Sequence, residues 1–371
     1  MLTTASTTLA ASPDQWVYVG TYTGGKSKGI YVSRLDATGK LSQPRLVATL
    51  TNPSFLALGP KHRYLYAISD VNDATGKRCG EVAAFSCDAA SGQLTKLNEQ
   101  LSGGEPLCHV QVDATGKTVL VASYGGGSVA TLPVKADGSL GKATAFIQHH
   151  GSSVNPVNQK GPHAHCFVTD PANRFALACD LGLDQVAIYR LDPTSATLVG
   201  NDPACAKLTP GLGPRHLAFR PDGKFAYVIN EMGCIVTAFA YDADRGALAE
   251  IQTVSALPAG RSVDPTLSGA EIVAHPSGKF VYGSTRGIDQ LNVFTVDRDS
   301  GKLALVQSIS SGSKTPRNFN VDPTGQFLLA ANQNSDNVAV FRIDSATGHL
   351  TATGQTIEIG NPGCVAFGPA N

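Results

Sequence analysis

Charge is scarce in this chain of 371 residues, and it is evenly balanced. The 29 lysines and arginines match 29 acidic residues, and charged residues make up 16% of the chain against about 25% in an average soluble protein. This balance argues against a nucleic-acid partner, which usually needs a basic surface. The chain also lacks an uncharged apolar run of the roughly 18 residues that a membrane helix requires, so no membrane partner is expected.

Features of helical and secreted proteins are scarce as well. Methionine occurs twice, whereas glycine occurs 39 times, a composition that favours short strands joined by turns. Residues 1–15 have neither the charged start nor the apolar stretch of a signal peptide, and we expect a disordered lead-in there. The eight cysteines include no Cys-x-x-Cys pair and predict a reducing, cytoplasmic setting. A periplasmic or secreted location stays open if a leader was removed.

An internal repeat organises the chain. A short apolar strand, a turn containing Pro, Asp or Gly, and a second apolar strand recur, with the turn position at residues 116, 173, 223, 278 and 325. Steps of about 50 residues fit one four-stranded sheet per repeat. Six units start near residues 54, 109, 165, 216, 271 and 318, and a seventh is split between a lone second strand at 16–22 and a lone first strand at 363–369. We therefore predict an all-β, seven-bladed β-propeller, a single domain over residues 16–371 that is closed by pairing of the terminal strands.

Polar residues recur at one end of the predicted hairpins. In five consecutive repeats, a polar residue at the start of the first strand precedes another by 15 residues, which predicts that both lie on one rim of the propeller. The arginines of this rim predict a cationic pocket for a small anion, and its carboxylates and imidazoles are suited to move protons near neutral pH. The pairs are His109 and Tyr124, His165 and Asp180, Arg215 and Asn230, His216 and Glu231, Glu271 and Arg286, Arg317 and Asn332, and Asn318 and Gln333.

The same strands contain residues that suggest two further chemistries. His163 and His165 have a spacing that zinc ligands can use, but no third ligand is evident, so we expect neither a metal nor another cofactor. Cys166 and Cys179 are expected to lie opposite each other, as are His165 and Asp180, because both pairs of residue numbers give the same sum. A disulfide between the two cysteines is therefore a hypothesis.

Six short motifs stand at or near the predicted strand ends: Gly161-Pro162-His163-Ala164-His165, Asp180-Leu181-Gly182, Gly213-Pro214-Arg215-His216, Val228-Ile229-Asn230-Glu231, Thr285-Arg286-Gly287 and Pro316-Arg317-Asn318-Phe319-Asn320-Val321-Asp322. Together they resemble the motifs of the seven-bladed propeller lactonase family, over essentially residues 16–369. This family includes propeller-type 6-phosphogluconolactonases and the fungal carboxy-cis,cis-muconate cyclase. One departure is Thr285, where an Asn or Asp commonly precedes the arginine.

The resemblance implies an enzyme that hydrolyses an anionic sugar lactone, 6-phospho-D-glucono-1,5-lactone, without a cofactor. It implies catalytic roles for His165, Arg215, Glu231 and Arg286, with either Glu231 or His165 as the base. Two alternatives stay open: a lactone-forming cycloisomerase acting on a carboxymuconate, and a non-enzymatic binding propeller. A monomer or weak homo-oligomer is expected. The residues expected to bind substrate are His109, Tyr124, His216, Glu271, Arg317 and Gln333.

Overall fold

The protein folds into seven four-stranded antiparallel sheets, as seen in a computed structural model that describes residues 14–73 and 75–370. This arrangement confirms the predicted seven-bladed β-propeller. Six blades, I to VI, are continuous in sequence, and a closing blade combines both ends of the chain. One short 3-10 helix, Gln333–Ser335, follows the second strand of blade VI. Within the described residues, no helix is long and apolar enough to cross a membrane.

The strands are numbered β1 to β28 along the chain, and in blades I to VI the first strand is the innermost. The closing blade, in spatial order, contains β28 (Pro362–Ala370), β1 (Gln15–Thr21), β2 (Gly29–Leu35) and β3 (Arg45–Thr49). Blade I contains β4 (Leu56–Leu58), β5 (Tyr64–Asn72), β6 (Arg78–Cys87) and β7 (Leu94–Leu101). Blade II contains β8 (His109–Val112), β9 (Thr118–Ser123), β10 (Ser128–Pro133) and β11 (Ala145–Gln148). Blade III contains β12 (Ala164–Thr169), β13 (Phe175–Asp180), β14 (Gln185–Asp192) and β15 (Thr197–Lys207).

The last three continuous blades repeat this order. Blade IV contains β16 (Pro214–Phe219), β17 (Phe225–Asn230), β18 (Ile235–Asp242) and β19 (Ala247–Ser255). Blade V contains β20 (Ser268–Ala274), β21 (Phe280–Arg286), β22 (Gln290–Val296) and β23 (Leu303–Ser310). Blade VI contains β24 (Pro316–Val321), β25 (Phe327–Asn332), β26 (Asn337–Ile343) and β27 (Leu350–Glu358).

The recurring turn between the first two strands is built by an aspartate and a residue with positive φ. In blade II, one oxygen of Asp113 accepts the backbone N–H groups of Lys117 and Thr118, both at 2.7 Å, and Gly116 has φ of 71°. Such aspartate side chains replace backbone hydrogen bonds in tight turns. Asp170 and Asp322 make the equivalent pairs of bonds in blades III and VI. This is why the sequence repeat is visible at the turn.

Strands from the two ends of the chain pair in the closing blade. Val17 lies opposite Phe367 and Val19 opposite Val365, in register with the core between this blade and blade VI. The predicted closure is therefore confirmed. The N-terminal part supplies three strands, however, rather than the lone second strand that was predicted. The lead-in expected at residues 1–15 falls mostly on residues 1–13, outside the described part, and β1 already begins at Gln15.

The first strands of blades III to VI each shift register where a site residue was predicted. Ala164 pairs with Asp180 and Cys166 with Cys179, so His165 is an extra residue in a β-bulge. The predicted pairing of His165 with Asp180 is therefore wrong, because that prediction assumed an unbroken ladder. The two cysteines do lie opposite each other, as expected, but both are free thiols and the hypothesised disulfide is not formed. Blades IV, V and VI have equivalent shifts at Arg215, at Ala270 with Glu271, and at Arg317.

Candidate active site

Arg215, Glu231 and Arg286 form a bridged ion cluster on the rim where the first strands begin. Arg215 Nε donates to Glu231 Oε2 at 2.9 Å, and Arg286 Nη2 forms an ion pair with Glu231 Oε1 at 3.1 Å. Arg215 comes from the bulge of β16, Glu231 follows β17 and Arg286 ends β21. One carboxylate thus binds two guanidinium groups from neighbouring blades.

Burial and charge both act on this cluster. Burial, together with the neighbouring Arg286, lowers the pKa of Arg215 to about 10, although Glu231 opposes the shift, so Arg215 stays charged at neutral pH. Burial alone would raise the pKa of Glu231, but the charges of Arg286 and Arg215 outweigh it and hold that pKa below its usual value. Glu231 is therefore an anion that orients two cations.

A second, more deeply buried group lies behind Arg215. His216 Nε2 is 3.2 Å from Arg215 Nη1, and His216 Nδ1 is 2.7 Å from Glu271 Oε1. Because a guanidinium only donates, Nε2 must accept, and the ring proton must lie on Nδ1. Burial lowers the pKa of His216 despite the nearby carboxylate, in agreement with a neutral ring. Asn318 Nδ2 donates to the other oxygen of Glu271 at 2.5 Å.

The bulge in β16 explains how the consecutive residues Arg215 and His216 can belong to the ion cluster and to the buried group behind it. Arg215 and His216 contact each other, although side chains that follow one another in an unbroken strand point to opposite faces. Arg215 Nη1 also donates to the carbonyl oxygen of Ala270, which lies in the bulge of the next blade. The register shifts therefore increase the number of side chains that each first strand places near the propeller axis.

Two more histidines pack against His216. The ring of His165 is 5.1 Å from that of His216, and the ring of His109 is 5.5 Å from it. Burial and then nearby positive charge hold the pKa values of His109 and His165 well below the usual range, so both rings are neutral at pH 7. Within the described residues, the buried Nδ1 of His165 has no hydrogen-bond partner.

Tyr124 lines the same rim, between His163 and His165. Its ring stacks on His163 at 4.4 Å and meets the edge of His165 at 5.4 Å. The ring of His163 donates from Nδ1 to the carbonyl oxygen of Tyr124 at 2.7 Å. The backbone N–H of His163 donates to Asp180 at 2.8 Å, and Asp180 also bonds His149. His163 therefore supports this part of the rim.

Arg317 stands apart from the ion cluster. Its guanidinium lies over the ring of Tyr22 at 5.3 Å, and no carboxylate pairs with it among the described residues. Gln333 reaches this rim through its backbone N–H, which donates to the carbonyl oxygen of Thr315 at 2.9 Å. Its side chain makes no hydrogen bond to another predicted site residue in the described part of the chain.

The structure therefore brings together nine of the ten predicted site side chains by direct contact or on one rim, with Gln333 at its edge. Among residues 14–73 and 75–370, no three His, Cys, Asp or Glu side chains are grouped to hold a metal ion. Some rim positions turn away from the axis. Asn230 donates to Thr237, Asn332 to Asn337 and Thr285 to the carbonyl of Ala256, all within or between blades.

The central channel continues behind the buried histidines as a cavity of about 400 Å³. Glu271, His109 and Asn318 line its end nearest the ion cluster, and Gln111 and Asn320 lie deeper along it. Sequence reasoning missed Phe55, whose ring contacts His109 at 4.5 Å, and Tyr22, which contacts Arg317. Tyr22 follows β1, which pairs with β28 at the other end of the chain, so no fixed spacing within a repeat could reveal this residue.

Comparison with known proteins identifies the family of this chain. Residues 16–367 match the family described as "Lactonase, 7-bladed beta-propeller". The chain is 39% identical over 351 residues to a 6-phosphogluconolactonase of Bacillus subtilis strain 168, which covers 94% of this chain and 97% of that protein. It is 32% identical over 315 residues to a 6-phosphogluconolactonase of Formosa agariphila, covering 83% of this chain and 86% of that one. The structure of the Pseudomonas aeruginosa periplasmic gluconolactonase PpgL superposes with a TM-score of 0.89 at 35% identity, covering 96% of this chain and all of that one. The chain belongs to the seven-bladed β-propeller lactonase family.

Proposed function

We propose that this protein is a lactonase that hydrolyses 6-phospho-D-glucono-1,5-lactone to 6-phosphogluconate. The observation that carries the proposal is the Arg215–Glu231–Arg286 cluster beside a neutral, unpaired His165. Lactone hydrolysis needs an anion-stabilising site and a proton acceptor within reach of one carbonyl carbon. Relatives that cover most of this chain bear the name of this activity.

The charge of the site favours an anionic substrate. Arg215, Arg286 and Arg317 contribute three positive charges, whereas Glu231 and Glu271 contribute two negative ones, which leaves one positive charge. Arg317 has no carboxylate partner among the described residues and is therefore available to a phosphate. Arginine offers several fixed donors, which suits phosphate and carboxylate oxygens.

Hydrolysis would begin with attack of water on the lactone carbonyl carbon. Arg286 Nε, which has no hydrogen-bond partner in the described protein, would donate to the carbonyl oxygen as it becomes an oxyanion. His165 would take the proton from water. The C–O bond of the ring would then break, and the protonated His165 would return that proton to the departing ring oxygen, leaving a hydroxyl group and a carboxylic acid. The carboxylic acid would release the second proton of the water to solvent and become the carboxylate.

His165 is a better candidate for the base than Glu231. Both oxygens of Glu231 bind guanidinium groups, which stabilises its anionic form and weakens it as a proton acceptor. His165 is neutral because burial and the positive charges of Arg215 and Arg317 disfavour its protonated form. An anionic substrate would offset those positive charges and raise the pKa of His165 when proton transfer is needed.

The sequence predicts substrate contacts for His216, Glu271 and His109, but their burial and mutual contacts favour a role in positioning the reacting groups instead. His216 accepts from Arg215 and donates to Glu271, so this pair fixes the guanidinium in place. His109 packs against His216 and is itself buried by Phe55. Tyr124 would line the substrate-binding side beside His165.

Lactone hydrolysis followed in a pH-stat, with the spontaneous rate subtracted, tests the proposal. The wild type should hydrolyse the phosphorylated lactone, and Arg215→Ala and Glu231→Gln should reduce kcat by about 100-fold or more. Arg317→Ala should raise KM for the phosphorylated lactone but leave unphosphorylated gluconolactone unaffected. A wild-type rate equal to the spontaneous rate would refute the proposal. Activity only on a carboxymuconate, seen as loss of diene absorbance, would replace it with cycloisomerisation.

We also propose a reducing, cytoplasmic location. Its support is that all eight cysteines are free, including the facing pair Cys166 and Cys179. Disulfides are common in oxidising compartments and rare in the cytosol. Alkylation of the protein purified from its native host, in denaturant and without reductant, should label all eight thiols. Labelling of six, with Cys166 and Cys179 protected, would contradict this location.

A further inference from the structure

Three aspartates occupy equivalent turns between the second and third strands of blades III, V and VI. Asp184, Asp289 and Asp336 all have left-handed backbone conformations, with φ of 47°, 56° and 54°. Aspartate tolerates this conformation better than most residues because its side chain can bond locally. The carbonyl oxygen of each accepts a backbone N–H from its own blade at 2.9 Å. The three turns therefore share one geometry.

Each of these carboxylates reaches into the next blade. In the next blade, the first strand has a bulged residue, and the residue two positions before it donates its backbone N–H to the aspartate Oδ1. These three bonds are 2.7–2.8 Å long. The carbonyl oxygen of that same residue accepts the N–H of the residue that follows the neighbouring second strand. In the order aspartate, N–H donor, bulged residue and residue after the second strand, the three sets are Asp184, Gly213, Arg215 and Glu231; Asp289, Thr315, Arg317 and Gln333; and Asp336, Asn361, Gly363 and Tyr22.

Asp184 has the most extensive contacts of the three. Its Oδ2 accepts hydrogen bonds from the Ser153 hydroxyl at 2.6 Å, and from Gln159 Nε2 and the Gly211 N–H at 2.7 Å each. Only 2% of Asp184 is exposed. A buried carboxylate with four donors holds its surroundings firmly, because each charge-assisted bond is stronger than a neutral one. Movement of Gly213 would therefore move both Arg215 and Glu231.

We propose that Asp184 and Asp289 are positioning residues for the site. Asp184 fixes the Arg215–Glu231 pair, and Asp289 fixes Arg317. The kinetic test of this proposal depends on the proposed lactonase function, whereas the structural test does not. Asp336 makes the same bond in the closing blade, where the bulged position is Gly363, so it holds no charged side chain over the axis. The chain thus contains a matched control.

The test compares Asp184→Ala, Asp289→Ala and Asp336→Ala, which remove the same bond from the same backbone conformation. We expect kcat to fall about tenfold or more in Asp184→Ala, because misplacement by about 1 Å can cost 100-fold. Asp289→Ala should mainly raise KM for the phosphorylated lactone. Asp336→Ala should leave kcat unchanged, and it acts on KM only through Tyr22, which contacts Arg317. If Asp184→Ala does not fold, Asp184→Asn keeps the size and one acceptor oxygen and should show the same fall in kcat to a smaller extent.

Equal effects in all three variants, on stability alone or on both constants, would overturn the inference, since they would show a structural role only. A crystal structure of Asp184→Ala or Asp184→Asn supplies a readout that does not depend on lactone turnover. The Arg215 and Glu231 side chains should be displaced there, and retention of their 2.9 Å contact would also overturn the inference. An inactive wild type with displaced side chains in the variant would refute the proposed substrate but leave the positioning role standing.

Discussion

Acidification should destabilise this protein well before its carboxylates titrate. His109, His165 and His216 are buried, with pKa values lowered by burial, so the folded state keeps them neutral. In the unfolded chain they bind protons below about pH 6.5. Because the folded-state pKa values are the lower ones, this contribution to stability is fully present above pH 6.5 or so and declines as the pH falls.

The size of the effect follows from the number of protons. Each proton taken up on unfolding contributes about 1.4 kcal/mol per pH unit, and two to three protons give about 3 to 4 kcal/mol between pH 6 and pH 5. This is a large part of the roughly 5–15 kcal/mol by which domains are stable. The carboxylates whose pKa values are lowered, such as Glu231, add their own losses only at lower pH.

Urea unfolding at several pH values between about 7 and 5 measures this slope. His109→Gln should reduce it by about one proton, or 1.4 kcal/mol per pH unit. The exposed His349 provides a control, and His349→Gln should leave the slope unchanged. A wild-type slope near or below about 1 kcal/mol per pH unit would show that the buried histidines are not held neutral.

Two further predictions concern stability and activity together. Glu271→Gln places an NH2 group against a buried donor and should cost about 1–3 kcal/mol in urea unfolding and lower kcat, whereas the exposed Glu250→Gln should change neither. Gly287→Ala would put a Cβ 2.2 Å from the Thr266 carbonyl oxygen at φ of 88°, next to Arg286. Gly287→Ala should lower the free energy of unfolding more than Gly354→Ala, because Gly354 has φ of 76° but open space around it. Only Gly287→Ala should reduce lactone hydrolysis. Equal losses of stability would show that the contact with Thr266 does not matter.

The blade repeat was predictable because residues close together in the sequence form the turn in each blade. Asp113 and Gly116 close a turn with bonds over at most five residues, and the same chemistry recurs at Asp170 and Asp322. The fixed distance from that turn to the strand ends then placed Arg215, Glu231 and Arg286 on one rim. These parts of the fold and site depend on short-range geometry, which a single sequence reveals.

The remaining features depend on contacts between blades. The pairing of His165 with Asp180 was predicted wrongly because a β-bulge adds one residue to the first strand. No local sequence pattern indicates this bulge. The bond from Gly213 to Asp184 spans 29 residues and two blades, and Tyr22 meets Arg317 across the chain closure. Such contacts are fixed by how the blades assemble, which the spacing of residues within one repeat does not encode.

The bulged positions have a consequence for how this architecture can diversify. His165, Arg215, Arg317 and Gly363 occupy the same added position in four different sheets, and the hydrophobic clusters between blades do not include them. Substitution there changes what faces the axis and leaves the apolar clusters between the blades in place, but at the buried Arg215 it also removes hydrogen bonds to His216 and Ala270. At His165 and Arg317 the scaffold therefore separates the residues that face a ligand from those that hold the ring together. Gly363 has no such freedom, because a Cβ there would lie 2.7 Å from the Ser54 carbonyl oxygen and 3.2 Å from the ring of Tyr22.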